Sequence, residues 1–114
     1  MIVYGIPNCD TVKRARRWLT DHGVDHTFVD FRQDPVGTDR TASWVAALGS
    51  KALKNTSGAS YRGLAAEKGE WDDGQWAKAM TADPMLIKRP VIERFGTAVL
   101  VGFRASESEL ERVL

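Results

Sequence analysis

A strand, a helix and a second strand follow one another within the first 31 residues, and this order leaves few folds open. Residues 2–4 favour a short buried strand, which Gly5 and Pro7 end. The next apolar positions recur at spacings of three and four, as on one face of a helix: Val12, Ala15, Leu19 and His22. Gly23 ends that helix, and residues 26–31 are rich in strand-forming side chains. The sequence therefore predicts a right-handed β-α-β unit with parallel strands.

The middle of the chain favours helices. Thr38 or Asp39 can cap a helix that Gly49 closes, and Asp72 or Asp73 can cap another that reaches residue 82. Weaker patterns predict a helical turn at residues 50–53, a loop at 55–58, a short helix at 61–66 and an apolar group at 85–87.

Two further strands are predicted at residues 91–95 and 98–101, separated by two residues that suit a hairpin. Ser106 can cap a final helix. The order is thus β-α-β, a helical insertion over about residues 38–87, and β-β-α. With the second half running antiparallel beside the first strand, this order predicts one α/β domain over residues 1–114. Its expected architecture is a thioredoxin-like fold with a four-stranded mixed sheet.

Cys9 is the only cysteine, and it lies where the first loop meets the first helix. A helix that begins near Asp10 or Thr11 places the thiol at its N-terminus. There, unpaired backbone N–H groups and the helix dipole lower the pKa of a thiol. A free cysteine is also often a small buried core residue. The preceding Pro7 and Asn8 favour an exposed, reactive thiol over that alternative.

Composition limits the possible functions further. A single cysteine allows no internal disulfide, which suits a reducing compartment. The net charge of +1 gives no general attraction to nucleic acid or to an anionic membrane, and no apolar run approaches the roughly 20 residues of a membrane span. Cys9, His22 and His26 lack the spacing of metal ligands. We therefore expect a cytoplasmic domain with no bound metal or cofactor, and no direct contact with membranes or nucleic acid.

Three segments resemble a known family: residues 4–11 (YGIPNCDT), 87–90 (IKRP) and 101–104 (VGFR). In combination they resemble the arsenate reductase (ArsC)-like family, which also contains the Spx and MgsR regulators, and the likeness is strongest to the small YffB-type members. The resemblance spans almost the whole chain. It implies a thioredoxin-like fold with a cis peptide bond between Arg89 and Pro90. The alternative is a proline that merely starts an edge strand.

The resemblance also implies a chemistry. In the arsenate reductases of this family, the matching cysteine attacks arsenate, glutathione resolves the intermediate, glutaredoxin completes the cycle, and three arginines hold the oxyanion. The resemblance implies that Cys9 is the nucleophile and that Arg89 and Arg104 are anion ligands. The third arginine aligns with Asn55, so one anion ligand is missing. Nearby candidates for the missing charge are Lys54 and Arg62.

The predicted site has two parts. Cys9 and Arg89 form the catalytic pair, because a guanidinium binds anions and lowers the pKa of a nearby thiol. The expected substrate-binding residues are Asn8, Thr11, Asn55, Lys88, Pro90 and Arg104. Thr11 suits either a hydrogen bond to sulfur or helix capping, and Lys88 suits either a ligand or solvent. Ordinary surface arginines are the alternative for Arg89 and Arg104.

Three functions stay open on this basis. The first is a glutathione-dependent thiol oxidoreductase with a monothiol nucleophile, because the residues after Cys9 include no resolving cysteine. Its expected partners are glutathione, as co-substrate, and a glutathionylated thiol. The second is an arsenate reductase that uses glutathione and glutaredoxin. The third is an Spx-like regulator that binds RNA polymerase, although the missing second cysteine argues against a redox-switched regulator of that type.

Overall fold

The computed structural model describes all residues, Met1–Leu114. The strands are β1 (Ile2–Gly5), β2 (Thr27–Asp30), β3 (Val91–Arg94) and β4 (Thr97–Val101). The α-helices are α1 (Asp10–Asp21), α2 (Thr38–Leu48), α3 (Ser50–Leu53), α4 (Ala59–Arg62), α5 (Asp73–Ala82) and α6 (Glu107–Val113). Two 3₁₀ helices, Ala66–Glu70 and Pro84–Leu86, flank α5. None of these helices has both the length and the apolar character needed to span a bilayer.

The four strands form one mixed sheet in the order β2-β1-β3-β4. β1 pairs parallel with β2 and antiparallel with β3, and β3 pairs antiparallel with β4. The parallel pair requires the crossover through α1, whereas β3 and β4 need only a hairpin. This arrangement confirms the predicted α/β fold with a four-stranded mixed sheet.

Each face of the sheet carries its own hydrophobic cluster, because successive strand residues point to opposite sides. On one face, Val3 of β1 packs with Ala15 and Leu19 of α1. On the other face, Tyr4 belongs to the larger cluster, which includes Trp44 of α2. The helices between β2 and β3 therefore cover the face opposite α1.

The short helices differ from the sequence prediction. In place of one helix at residues 61–66, α4 ends at Arg62 and a 3₁₀ helix begins at Ala66. Gly63 occupies the position after α4, and glycine is a poor helix former that weakens continuation of the helix. Asp72 caps α5 and forms the reciprocal capping box with Gln75. Of the two caps predicted for this helix, Asp72 is therefore confirmed.

Two further boundaries differ. The residue before α2 is Gly37, which offers no side chain, so neither Thr38 nor Asp39 caps the helix. The β3–β4 hairpin turns at Phe95 and Gly96, whose φ angles are 52° and 78°. Two successive positive φ values match the turn type that suits the twist of a two-residue hairpin.

A buried carboxylate joins the sheet to α2. Glu93 on β3 is only 1% exposed. Its oxygens accept hydrogen bonds from Trp44 Nε1 at 2.7 Å, Arg40 Nη1 at 2.8 and 2.9 Å, and the Tyr4 hydroxyl at 3.3 Å. Burial, together with the negative charge of Glu93, raises the pKa of Tyr4. Because buried charges require such partners, Glu93 fixes α2 against β1 and β3.

Candidate active site

Cys9 lies at the N-cap of α1. Its backbone is extended, with φ −98° and ψ 124°, and the helix begins at the next residue. The side chain of Cys9 makes no capping hydrogen bond, but the backbone N–H groups of Val12 and Thr11 lower the pKa of its thiol. They belong to the first helical turn, whose N–H groups have no partner within the helix. The predicted position of Cys9 at a helix N-terminus is therefore confirmed.

Close packing between β1 and α1 sets the position of this turn. Val12 is fully buried in the core. A Cβ atom added to Gly5 would lie 2.7 Å from Val12 Cγ2, which is closer than side chains tolerate. Valine has little freedom to rotate away because it is branched at Cβ. Gly5 thus allows the first turn of α1, and Cys9 with it, to lie directly against the end of β1.

The surroundings of Cys9 stabilise its thiolate. Burial by itself raises the pKa of the thiol, but the Val12 N–H, the Arg89 guanidinium and the Thr11 N–H favour the thiolate, and together they outweigh burial. The net result is a pKa below the ordinary value of 9.0. The thiolate is the nucleophilic form of cysteine, so a larger fraction of Cys9 is reactive near neutral pH.

Two backbone hydrogen bonds hold Arg89 in this position. The Lys88 N–H donates to the Leu53 carbonyl at 2.7 Å, and the Gly102 N–H donates to the Pro90 carbonyl at 2.8 Å. They join the loop before β3 to the end of α3 on one side and to the turn after β4 on the other. The peptide bond between Arg89 and Pro90 is cis, as the resemblance implies.

The guanidinium of Arg89 keeps donors available for a ligand. Its Nε and Nη1 atoms are buried, and neither has a hydrogen-bond acceptor in the protein. Buried donors are nearly always hydrogen-bonded, because an unpaired donor loses its hydration without compensation. The arrangement suits an anion placed between Arg89 and the sulfur.

Cys9 and Arg89 open into a cavity of about 500 Å³. Its walls come from the start of α1, the loop after α3, the loop before β3 and the end of β4 with the turn that follows. The lining residues are Cys9, Thr11, Arg14, Asn55, Thr56, Ser57, Lys88, Arg89, Val101, Gly102, Phe103 and Arg104. Four of them are cations and none is a carboxylate, so the cavity is suited to anionic ligands.

The cavity brings together most of the residues predicted from the sequence. Cys9, Thr11, Asn55, Lys88, Arg89 and Arg104 all line it, although they come from distant parts of the chain. Asn8 and Pro90 do not line it. Asn8 is exposed in the loop before Cys9, and Pro90 is buried. The Thr11 hydroxyl makes no hydrogen bond within the protein, and it is the backbone N–H of Thr11 that lowers the pKa of Cys9.

Four residues that line the cavity were not predicted from the sequence: Arg14, Thr56, Ser57 and Phe103. Arg14 was detectable, because residues three apart on a helix share a face and Thr11 was already a candidate. Thr56 and Ser57 directly follow Asn55 in the same loop. Phe103 carried no signal of its own.

The candidates for the missing charge are engaged elsewhere. Lys54 Nζ lies 4.7 Å from the centre of the Trp76 ring, and an Arg62 Nη1 donor bonds to the Ser57 carbonyl. Neither residue lines the cavity. The extra positive charge in the cavity comes instead from Arg14.

One group of possible metal ligands lies outside the cavity. The side-chain ligand atoms of His22, Glu107 and Glu111 are within 4.8 Å of one another, and all three residues are exposed. His22 Nδ1 is 2.7 Å from the Trp18 carbonyl, and His22 Nε2 is 3.1 Å from Glu107 Oε1. A hydrogen-bonded contact between α1 and α6 accounts for this group.

Known proteins resemble this chain in sequence and in fold. The sequence profile of the ArsC family matches residues 4–110. A protein of Haemophilus influenzae is 37% identical over 106 residues, which cover 92% of each chain. The solved structure titled YFFB (PA3664) protein superposes with a TM-score of 0.87 at 35% identity, covering 99% of this chain and 97% of that one. A structure from Streptococcus mutans, titled a possible arsenate reductase, gives 0.84 at 32% identity and 96% coverage of both chains.

Proposed function

The chain belongs to the ArsC family of arsenate reductase-like thiol oxidoreductases, and we propose that it is a glutathione-dependent thiol oxidoreductase with Cys9 as its only nucleophile. The observation that carries this proposal is the position of Cys9 at the N-cap of α1, beside an arginine with unpaired buried donors. The absence of a second cysteine then requires an external thiol to complete the reaction.

The reaction consists of two thiol–disulfide exchanges. In the first, the Cys9 thiolate attacks the glutathione sulfur of a glutathionylated thiol. A Cys9–glutathione disulfide forms, the original disulfide breaks, and the released thiolate takes a proton from solvent. In the second, the thiolate of reduced glutathione attacks the glutathione sulfur attached to Cys9. Glutathione disulfide leaves and the Cys9 thiolate is regenerated, so the substrate thiol is reduced and one reduced glutathione is consumed. The glutathione disulfide joins this molecule to the glutathionyl group taken from the substrate.

The cavity residues have distinct roles in this proposal. Arg89 and the N–H groups of Thr11 and Val12 stabilise the thiolate, both before attack and when it leaves. Lys88 and Arg104 bind carboxylates of glutathione, and the Asn55 amide offers further hydrogen bonds. The peptide groups of Arg89 make no backbone hydrogen bond. Next to Pro90, they are suited to pair with the extended backbone of a bound peptide.

Intact mass measurement after incubation with glutathione disulfide tests the proposal. We expect wild type to gain one glutathionyl group and Cys9→Ser to gain none. Reduced glutathione should then remove the group from wild type and release glutathione disulfide, which glutathione reductase and NADPH quantify. A wild-type thiol that is alkylated by iodoacetamide, yet forms no adduct with glutathione disulfide, would contradict the proposal.

Arsenate reduction is the second candidate, because the unpaired donors of Arg89 also suit a tetrahedral oxyanion. The similar Streptococcus mutans structure is described as a possible arsenate reductase. Asn55 replaces the aligned arginine, so we expect weak activity at most. Production of arsenite in the presence of glutathione and glutaredoxin would support this candidate, and unchanged arsenate would exclude it.

Binding to RNA polymerase stays a prediction, which a pull-down with wild type and Cys9→Ser would test.

A further inference from the structure

Arg14 is a cavity cation without a charged or aromatic partner in the protein, as are Lys88 and Arg104. It lies on α1, one turn after Thr11, and its side chain is exposed. It takes part in no ion pair and lies over no aromatic ring. Asp10 is four residues earlier, a spacing at which opposite charges on a helix often pair, yet the two side chains form no salt bridge. The guanidinium of Arg14 is therefore free to bind a ligand.

The neighbouring arginines on α1 differ from Arg14 in this respect. The Arg16 guanidinium lies 4.5 Å from the centre of the Phe28 ring, outside the cavity. Arg17 is exposed and also does not line the cavity. Of this basic segment, only Arg14 faces the space in front of Cys9.

Arg14 does not serve the thiol itself. Arg89 is the only side chain that lowers the pKa of Cys9, and Arg14 is not among the groups that act on it. The cavity of about 500 Å³ is also larger than a single tetrahedral oxyanion. A cation that lines this space without acting on the sulfur is placed to bind a second part of the ligand.

We infer that Arg14 is a specificity-determining residue that binds a carboxylate of the disulfide substrate, so that Cys9 reacts preferentially with disulfides carrying acidic groups close to the sulfur. The inference rests on the proposed function. It adds Arg14 to Lys88 and Arg104 as a ligand of substrate carboxylates, whereas Arg89 stabilises the reacting sulfur. Acidic peptidyl disulfides such as glutathione disulfide offer both carboxylates and a reacting sulfur, whereas small uncharged disulfides offer only the sulfur.

Rates of adduct formation on Cys9 with two disulfides test this inference. Glutathione disulfide carries carboxylates, and 2-hydroxyethyl disulfide is uncharged. We expect Arg14→Gln to slow the reaction with glutathione disulfide by about three- to tenfold, the range for losing one partly exposed charged contact. The reaction with 2-hydroxyethyl disulfide and alkylation by iodoacetamide should keep their wild-type rates. Arg17→Gln, the matched control on the same helix, should leave all three rates unchanged.

Added salt supplies a second readout, because exposed charges are screened. The wild-type rate with glutathione disulfide should fall more steeply with salt than the rate of Arg14→Gln. Equal rates for Arg14→Gln and Arg17→Gln with glutathione disulfide would overturn the inference and leave the proposed function intact. An equal loss with both disulfides would also overturn it. If iodoacetamide alkylates wild type but neither disulfide forms an adduct with it, the proposed function is contradicted. The inference, which rests on that function, is then contradicted as well.

Discussion

Replacing Arg89 by methionine should raise the pKa of Cys9 by about one unit. Methionine keeps an unbranched apolar stem but removes both the charge and the donors. Hydrogen bonds to charged groups contribute about 1.5–3 kcal/mol. Because the sulfur is partly exposed, we take the lower value, and about 1.36 kcal/mol corresponds to one pKa unit. The backbone donors of Thr11 and Val12 remain, so part of the lowering persists.

The pH dependence of alkylation by iodoacetamide measures this pKa, and the ultraviolet absorbance of the thiolate provides an independent titration. Below both pKa values, the variant should hold about tenfold less thiolate. A thiolate of higher pKa is also more nucleophilic, with a Brønsted coefficient of about 0.5. Below both pKa values, the alkylation rate should therefore fall only about threefold.

Arg104→Met is the matched control, because Arg104 lines the same cavity but does not act on the Cys9 thiol. It should leave the pKa of Cys9 at the wild-type value. If Arg89→Met has the wild-type pKa, or if both variants shift it equally, Arg89 does not stabilise the thiolate by direct contact. Arg89 would then not act as the catalytic partner of Cys9.

Three further predictions concern the framework of the site. Gly5→Ala forces a Cβ atom against Val12 and should lower the free energy of unfolding in urea by about 1–3 kcal/mol; an unchanged midpoint would contradict the close packing. Glu93→Gln should cost about 2 kcal/mol, because a buried hydrogen-bonded charge is lost, whereas Glu109→Gln, in an exposed ion pair, should cost less than about 1 kcal/mol. The folded-state pKa of Cys9 lies below its unfolded value of 9.0, so the unfolded chain binds more protons between those two values. The stability of wild type relative to Cys9→Ser should therefore rise with pH up to about 9.0 and fall as the pH drops through the folded-state pKa. A difference independent of pH in paired urea titrations would refute that coupling.

Local patterns were sufficient to predict the two ends of the fold. The spacing of Val12, Ala15 and Leu19 predicts α1, and all three side chains are buried as that pattern requires. The position of Cys9 follows directly, because the helix start is visible in the sequence. Arg89, Arg104 and the cis peptide bond came from the family resemblance, since no local pattern distinguishes these arginines from ordinary surface residues.

Other features depend on contacts between distant segments and could not be predicted locally. A glutamate in a strand suggests an exposed position, yet Glu93 is buried because Arg40 and Trp44 reach it from α2. The short helix α4 is stabilised from outside, because Tyr61 stacks on Trp76 with ring centres 6.2 Å apart. The positive charge of the cavity likewise arises only when four separate segments of the chain meet. The net charge of +1 gives no indication of it.

Because four cations and no carboxylate line the cavity, the stability of the folded protein should depend on the anions in the buffer. In a buffer without binding anions, the folded state holds four cationic side chains around one space. An anion that binds only the folded state raises the free energy of unfolding by RT ln(1 + [L]/Kd), about 2.7 kcal/mol at a hundredfold excess over Kd. A melting temperature recorded in phosphate or sulfate would then belong to the anion-bound protein. A buffer anion that binds in this cavity would also compete with an anionic substrate, so rates measured in buffers with and without such an anion would differ.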